Sequence, residues 1–427
     1  MMTHTLLAHS GGGSFLRERV HNLHSHPLFR SSLPSLCGII RSAFSSALRV
    51  LVRKEIAKRA TEQVVFIIAA LLSLKTVWHP LRLFGRRQPE QLVIVPTPLL
   101  LSWTVSTLVK AGLAPKAADV VARALVAAQR DGRGAHGMAR LPAIVRSLQN
   151  GEVAGSALPR ITRIRPALLQ VDAQNGLAMP AISQALPELA IAVRQHGIAA
   201  LSVVDARGIV GALWVPLERM ASEHGIAVVA CCNSPAFVCP TGGTARVFGT
   251  NPIAFAWPRH GKPPLVADFA CSTISRGDMQ HLARQRKPLP TGSALDPSGR
   301  PTTDASAGLA GTQLAFGGHK GSALALLVEL LSASLIGTDL GVEGGASSEA
   351  GGMRRGLFFI GLDVDAHHGA ARESAERLFA AVCEAGGRLP GDGRYAHRAR
   401  CSGDDGGIAV DAQLLIECFG TTELTLL

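Results

Sequence analysis

The sequence is short of aromatic residues, of acid near its start, and of long apolar runs. One tyrosine, four tryptophans and fourteen phenylalanines stand among 427 residues, so any core must be packed with alanine, leucine and valine. The longest uncharged apolar run, VVFIIAALLSL at 64–74, falls well short of the roughly 18 to 20 residues that span a bilayer. No transmembrane segment is therefore expected. The eight cysteines (Cys37, Cys231, Cys232, Cys239, Cys271, Cys383, Cys401 and Cys418) include no C-x-x-C pair. No histidine or cysteine spacing suits zinc, so no metal is expected, and the thiols read as free in a reducing compartment. Zinc-finger spacing, RNA-recognition signatures and aromatic-interleaved basic stripes are also missing, which argues against nucleic acid despite a net charge of +12. Nor does a G-x-G-x-x-G run follow a strand and open a helix, and neither a P-loop nor a G-x-S-x-G elbow is found.

What is present divides the chain in two. Residues 1–92 carry thirteen basic and four acidic side chains, which is +9 of the total. That composition reads as a basic extension, poorly ordered. It is a targeting presequence, a mis-called start, or an amphipathic surface-binding segment. From 93 to 427 the pattern is regular. PLLLSWTVSTLVKAGL and APKAADVVARALVAAQR read as a helical hairpin, and LPAIVRSLQNG as a helix ended by Gly151. ALLQVDAQNG reads as a strand and turn, and MPAISQALPELAIAVRQHG as a long helix. IAALSVV and GIAVVACCN flank the helical VPLERMASEHG. This strand–helix–strand alternation indicates an α/β fold. NPIAFAWP, PLVADFA and GLFFIGLDV read as strands, GSALALLVELLSASLIG as a strongly apolar helix buried in the core or in an interface, and AARESAERLFAAVCEAGG as the last long helix before a polar, Arg-rich tail.

Gly-rich polar stretches lie between these elements, where ligands usually bind. They carry His136, Arg140, Thr250, Arg276, Asp278, His319, Lys320, Arg388 and Arg394. Cations beside backbone amides suit an anionic ligand such as a carboxylate or phosphate. From composition alone each has a plainer reading. His136 would be a solvated or capping histidine, Asp278 a cap of the helix MQHLARQR, Arg140 a surface residue, Lys320 a first-turn residue, and Arg394 part of a basic tail.

The stretches GRGAHGMARLP, VFGTNPIAFAWP, STISRGDMQ, DPSGRPTTD and FGGHKGSALALLVELL go further. In that order, over some 330 residues from about 93, the sequence resembles the malate/L-lactate dehydrogenase-type oxidoreductases. GTNPIAFAWPR and FGGHKGSALALLVEL look most like the branch that reduces Δ1-pyrroline-2-carboxylate and Δ1-piperideine-2-carboxylate. The resemblance implies a family-specific, non-Rossmann NAD(P)-binding α/β fold with an N-terminal helical segment. It also implies a cytoplasmic homodimer and a small substrate bearing a carboxylate. By it, His136 is the proton donor and Asp278 its charge partner. Arg140, Thr250, Arg276 and Gly277 bind substrate. Asp268, Phe269, Ala270, His319, Lys320, Arg388, Gly391 and Arg394 hold the dinucleotide, with the cations favouring NADP over NAD. If 136–140 is one helical turn, His136 and Arg140 share a face.

Two positions depart from the family's pattern. Ala135 stands where a serine precedes the histidine, and DARGIVGALW at 205–214 replaces an Asn-Ser-His-His-Phe-type loop with Gly208 and Ile209 at the two histidine places. Three readings follow. The first is an NAD(P)H-dependent reductase of a cyclic imine 2-carboxylate, yielding proline or pipecolate. The second is a 2-hydroxy-acid dehydrogenase. The third is an impaired homologue that binds ligand weakly or serves as an assembly partner. An organelle-targeted location is the alternative to the cytoplasm if 1–92 is a genuine presequence.

Overall fold

The computed structural model describes residues 92–344, 352–367, 369–401 and 407–420. The readings of the basic extension lie outside them, apart from Leu92. In chain order the first elements are β1 (Leu92–Pro96), α1 (Thr97–Lys110), α2 (Pro115–Arg130) and α3 (Leu141–Gln149). Then come β2 (Arg160–Arg165), β3 (Leu168–Asp172), α4 (Ala178–His196), β4 (Ile198–Ala206), α5 (Trp214–Glu223) and β5 (Ala227–Cys232). β6 (Ile253–Trp257), β7 (Leu265–Phe269), α6 (Arg276–Gln285), β8 (Ala294–Leu295), β9 (Pro301–Thr302), α7 (Ala305–Ala310), β10 (Thr312–Gln313) and α8 (His319–Glu329) follow. β11 (Arg355–Leu362), α9 (Val364–His367), α10 (Ala371–Glu384), α11 (Asp392–Cys401), β12 (Gly407–Asp411) and α12 (Ala412–Phe419) complete the series.

Local chemistry sets the ends of these elements. Proline opens α1, α2 and α3, where its missing N–H costs nothing. Gly197, at φ +77°, closes α4 in the left-handed conformation that favours glycine. The central sheet has seven strands in the order β2-β3-β4-β11-β5-β6-β7. Only β3 and β4 run parallel; the other neighbours are antiparallel. The fold is therefore α/β with a mixed sheet. β11 shows why the middle of the sheet reads as continuously apolar. Leu357 and Phe359 face the core shared with α4 and α5, while Phe358 faces a second cluster with Ala325 and Val328 of α8.

A smaller unit of packing surrounds α1–α3. β1 pairs antiparallel with β12, Leu92 opposite Asp411, which brings the two ends of the described chain together. Val95, Leu100, Met138, Leu141, Ile408 and Leu415 share its core. α2 lies on the seam: its Ala128 packs with the sheet, its Val121 and Leu125 with the helices.

The core reading of the apolar helix and the tail reading of the Arg-rich end fail. α8 and the π-helical turn that continues it (Leu330–Ser334) are not buried all round, because Leu326, Leu327, Leu330 and Leu335 are 45–61% exposed along one face. The Arg-rich tail is not a tail. Residues 392–401 form α11, with Arg394 only 7% exposed.

Because Phe359 is fully buried at the centre of the sheet, Phe359→Ala should cost about 3–5 kcal/mol. Leu158, which is 80% exposed, should tolerate Leu158→Ala within about 0.5 kcal/mol. Denaturant midpoints of the two variants check this; equal losses would contradict the packing described.

Candidate active site

The stretch from 134 to 140 forms two successive 3-10 turns, Gly134–His136 and Met138–Arg140, broken at Gly137. His136 and Arg140 therefore do not lie on one α-helical turn. The break has a cause. A Cβ on Gly137 would sit 2.8 Å from the Gln129 backbone nitrogen, so only glycine allows so close an approach. Gln129 then pins the turn: Met138 N donates to its Oε1 at 3.2 Å, while its Nε2 donates to Ala409 O at 2.9 Å. The Met138 side chain is wholly buried and anchors the loop from below.

His136 is half-buried, and its ring stands perpendicular to that of Trp214, with centroids 5.8 Å apart and an interplanar angle of 79°. Burial pushes its pKa down to about 4; the charges of Arg140 and Arg133 push the same way, and that of Asp278 opposes them. Asp278 thus acts on the imidazole as a charge. Its carboxylate is occupied elsewhere, accepting from Ser275 Oγ at 2.8 Å, while the same hydroxyl accepts from Asp278 N at 3.0 Å and caps α6. Gly277 presses the start of α6 onto the histidine loop: a Cβ there would meet Arg140 Nη2 at 2.6 Å and the Ala135 methyl at 3.3 Å. His136, Arg140, Gly277 and Asp278 are therefore together. Arg276 stacks on Phe237, Cζ 4.4 Å from the ring centroid, and its Nη1 donates to Leu309 O at 3.2 Å. The carbonyl of Thr250 accepts from Cys271 N at 2.7 Å, which ties it to the loop that leads into α6.

Beside this lies a cleft of about 410 Å³. Asp268, Phe269, Arg388, Gly391 and Arg394 line it, and so does Arg133, which sequence reasoning passed over. Arg394 is buried, donates from Nη2 to Val266 O at 2.7 Å, and has no partner for Nε among the described residues. Asp268 accepts from Trp214 N at 3.1 Å; burial nonetheless pushes its pKa up to about 6, against the hydrogen bonds and Arg394. Ala270 follows the lining but is not part of it. His319 and Lys320 are exposed in the first turn of α8 and are not among the cleft walls. A wider hollow of about 580 Å³ at the sheet edge, with Arg163, Arg165 and His196 in its lining, contains none of the expected residues.

Sequence reasoning missed the polar framework behind these residues. Asp131 is buried and takes two hydrogen bonds from Arg398, 2.6 and 2.9 Å, and one from Trp214 Nε1 at 3.3 Å. Arg398 also grips both carboxylate oxygens of Glu218. The one available signal was a tryptophan in a chain that has four. In the altered loop at 205–211, Ile209 packs into the core around α1–α3 and Val210 into the sheet core, while Asp205 pairs with Arg354 and Arg207 donates to Asn175 and Gly352 O.

A family model described as malate/L-lactate dehydrogenase matches residues 95–417. The chain belongs to the malate/L-lactate dehydrogenase family. Its similarity to individual members of that oxidoreductase family is broad. A Δ1-pyrroline-2-carboxylate/Δ1-piperideine-2-carboxylate reductase from Pseudomonas aeruginosa is 42% identical over 67% of this chain and 87% of that protein. A (2R)-3-sulfolactate dehydrogenase (NADP(+)) from Chromohalobacter salexigens is 38% identical over 69% of this chain and 88% of that one. The crystal structure of Δ1-piperideine-2-carboxylate reductase from Pseudomonas syringae pvar. tomato superposes with a TM-score of 0.71 at 37% identity, covering 77% of this chain and 99% of that one.

In this family member the His136 imidazole should titrate near pH 4 without ligand, and Arg140→Gln should raise that midpoint by removing an opposing charge. NMR titration of the histidine ring protons reads both; an ordinary midpoint near 6.5 in the parent would refute the crowded, cationic setting.

Proposed function

We propose that the protein is an NAD(P)H-dependent reductase of a cyclic imine 2-carboxylate, Δ1-pyrroline-2-carboxylate or Δ1-piperideine-2-carboxylate, giving proline or pipecolate. The observation that carries this reading is His136 beside Arg140 next to a cleft walled by cations. The similarity to reductases named for these two substrates supports the same choice.

The residues present fit a dinucleotide. Arg394 has a buried Nε with no partner among the described residues, and Gly391, at φ +100°, presents bare backbone where a Cβ would crowd Val266 O at 3.2 Å. Arg133 and Arg388 add charge for phosphates, and a 2′-phosphate among them favours NADP over NAD. Asp268 and Phe269 would bound the same site; Ala270, His319 and Lys320, outside the cleft walls, would meet only a part of the dinucleotide that extends beyond them. We read the binding mode as a non-Rossmann one, a reading supported by the single parallel pair in the central sheet.

When bound, the nicotinamide supplies a hydride to the imine carbon, C2. This chain's own residues supply the rest. Arg140 clamps the substrate carboxylate with its two-pronged guanidinium, and Thr250, Arg276 and Gly277 shape the pocket. That carboxylate would offset the Arg140 charge, which lowers the His136 pKa in the free protein. The imidazole therefore gains basicity as the anion arrives, holds a proton, and donates it to the substrate nitrogen. Asp278 favours the protonated ring through its charge. Run in reverse on a hydroxyl, the same groups would serve a 2-hydroxy-acid dehydrogenase, a reading the sulfolactate relative supports.

The catalytic region is 93–427, with 1–92 a basic extension to it. The assembly is a homodimer whose contact is the leucine face of α8, because an exposed apolar stripe of Leu326, Leu327, Leu330 and Leu335 otherwise faces water. A cytoplasmic setting fits the seven free cysteines among the described residues.

The full-chain protein should oxidise NADPH in the presence of Δ1-piperideine-2-carboxylate. His136→Ala should abolish turnover while leaving NADPH-dependent thermal stabilisation intact, and Ala135→Ser should raise the rate. Turnover on 2-oxo acids alone would move the assignment to the hydroxy-acid dehydrogenase. Neither turnover nor stabilisation by NADPH would leave only the impaired homologue. Sedimentation should report a dimer, and Leu327→Glu with Leu330→Glu should yield a monomer; an unchanged dimer would place the contact elsewhere.

A further inference from the structure

Trp214 is 4% exposed, yet its surroundings are not those of a core filler. Its ring meets the His136 ring perpendicularly at 5.8 Å. The Arg394 guanidinium carbon lies 5.2 Å from the indole centroid. Its Nε1 donates to Asp131 and its backbone nitrogen to Asp268. One residue thus touches the proposed proton donor, two walls of the cleft and a buried carboxylate. The residue is held at its backbone nitrogen and at its indole Nε1. Asp131 cannot drift, because Arg398 holds both its oxygens and is itself held by Glu218, one turn along α5 from Trp214.

The imidazole has little else to orient it. It makes no side-chain hydrogen bond among the described residues. Ala135 offers no hydroxyl, and the Asp278 carboxylate is bonded to Ser275. The charges facing the ring are Arg133 and Arg140 from its own loop and Asp278 from α6; Trp214, at the start of α5, brings none. A perpendicular aromatic pair is attractive beyond its buried area, which favours one ring orientation over others.

We infer that Trp214 is a positioning residue: its indole, locked by Asp131, fixes the His136 imidazole relative to the cofactor cleft and keeps water from it. The inference rests on the reading of His136 as proton donor. It also gives the cleft and the proton donor a shared wall, since Asp268 and Arg394 set the same residue from the other side.

Two variants of the full-chain protein test it. Trp214→Phe keeps an aromatic ring and drops the N–H to Asp131; Trp214→Leu removes the aromatic wall. In ligand-free protein, NMR titration should show the His136 midpoint rising by about one pH unit or more in Trp214→Leu, as water reaches the ring. With NADPH and Δ1-piperideine-2-carboxylate, both variants should lose about tenfold or more in kcat. An unmoved midpoint in Trp214→Leu overturns the inference whatever kcat does, and so does a kcat within about twofold of the parent in both variants. If the parent turns over no substrate, the functional reading fails and the titration alone decides the positioning role.

Discussion

The arrangement of the site depends on one buried carboxylate. Asp131 ends α2 with almost no access to water. A bare carboxylate there would be costly to bury, by several kcal/mol or more, so the fold must bring it partners. It brings Arg398 from 267 residues away and the Trp214 indole from 83. Three helices, α2, α5 and α11, are bound at one point as a result. Each leads to a functional residue: α2 runs into the His136 loop, α5 begins with Trp214, and α11 carries Arg394. Breaking such a pair strands a charge, so the site's geometry and the local stability share one cause.

The two ionisable groups at the centre are shifted in opposite senses, and the signs can be followed. His136 has a folded pKa near 4, below its unfolded value. Its neutral burial stabilises fully above about pH 6.5, and this is lost as pH falls toward 4. Asp268 has a folded pKa near 6, above its unfolded value. Its contribution is present below about pH 4 and is lost as pH rises through 6. Between pH 4 and 6 the two oppose each other. Both shifts arise first from burial. An anion at Arg140 would relieve that of His136, whereas a phosphate beside Asp268 would push the carboxyl further up.

Much of the fold was legible because it is periodic. The hairpin α1–α2, the long α4 and the strands β6, β7 and β11 follow from the spacing of apolar residues and their Pro and Gly punctuation. The failures are of other kinds. The β1–β12 pairing joins segments more than 300 residues apart and leaves no local trace. The α8 leucines read as core because an apolar helix looks the same facing a core or facing a partner. The Arg-rich tail hid α11 because its meaning lies in Asp131, far off in sequence. Of the site, His136, Arg140, Asp268, Asp278 and Arg394 were named from motifs, while Gln129, Asp131, Arg133, Trp214 and Arg398 were not. Those five act through contacts that only the folded chain creates.

The departures at 135 and 205–211 read differently once folded. Ala135 lies against Gly277, where the loop and α6 are in close contact, so the methyl packs where a hydroxyl would need a partner. Ile209 and Val210 each fill a different core. A polar side chain at either place would have to be buried or would have to open the seam between the two cores. Gly208 and Gly211, at φ +67° and +87°, give this loop its path, and the chain then reaches Trp214, whose backbone nitrogen is bonded to Asp268. The polar contacts of the loop run to Arg354, Asn175 and Gly352, and it still delivers the residue that joins the cleft to the histidine. Whatever binds in the cleft meets its polar partners on the histidine loop at Arg133, on β7, on the segment leading into α11 and on α11 itself. The 205–211 loop acts there as a support for Trp214.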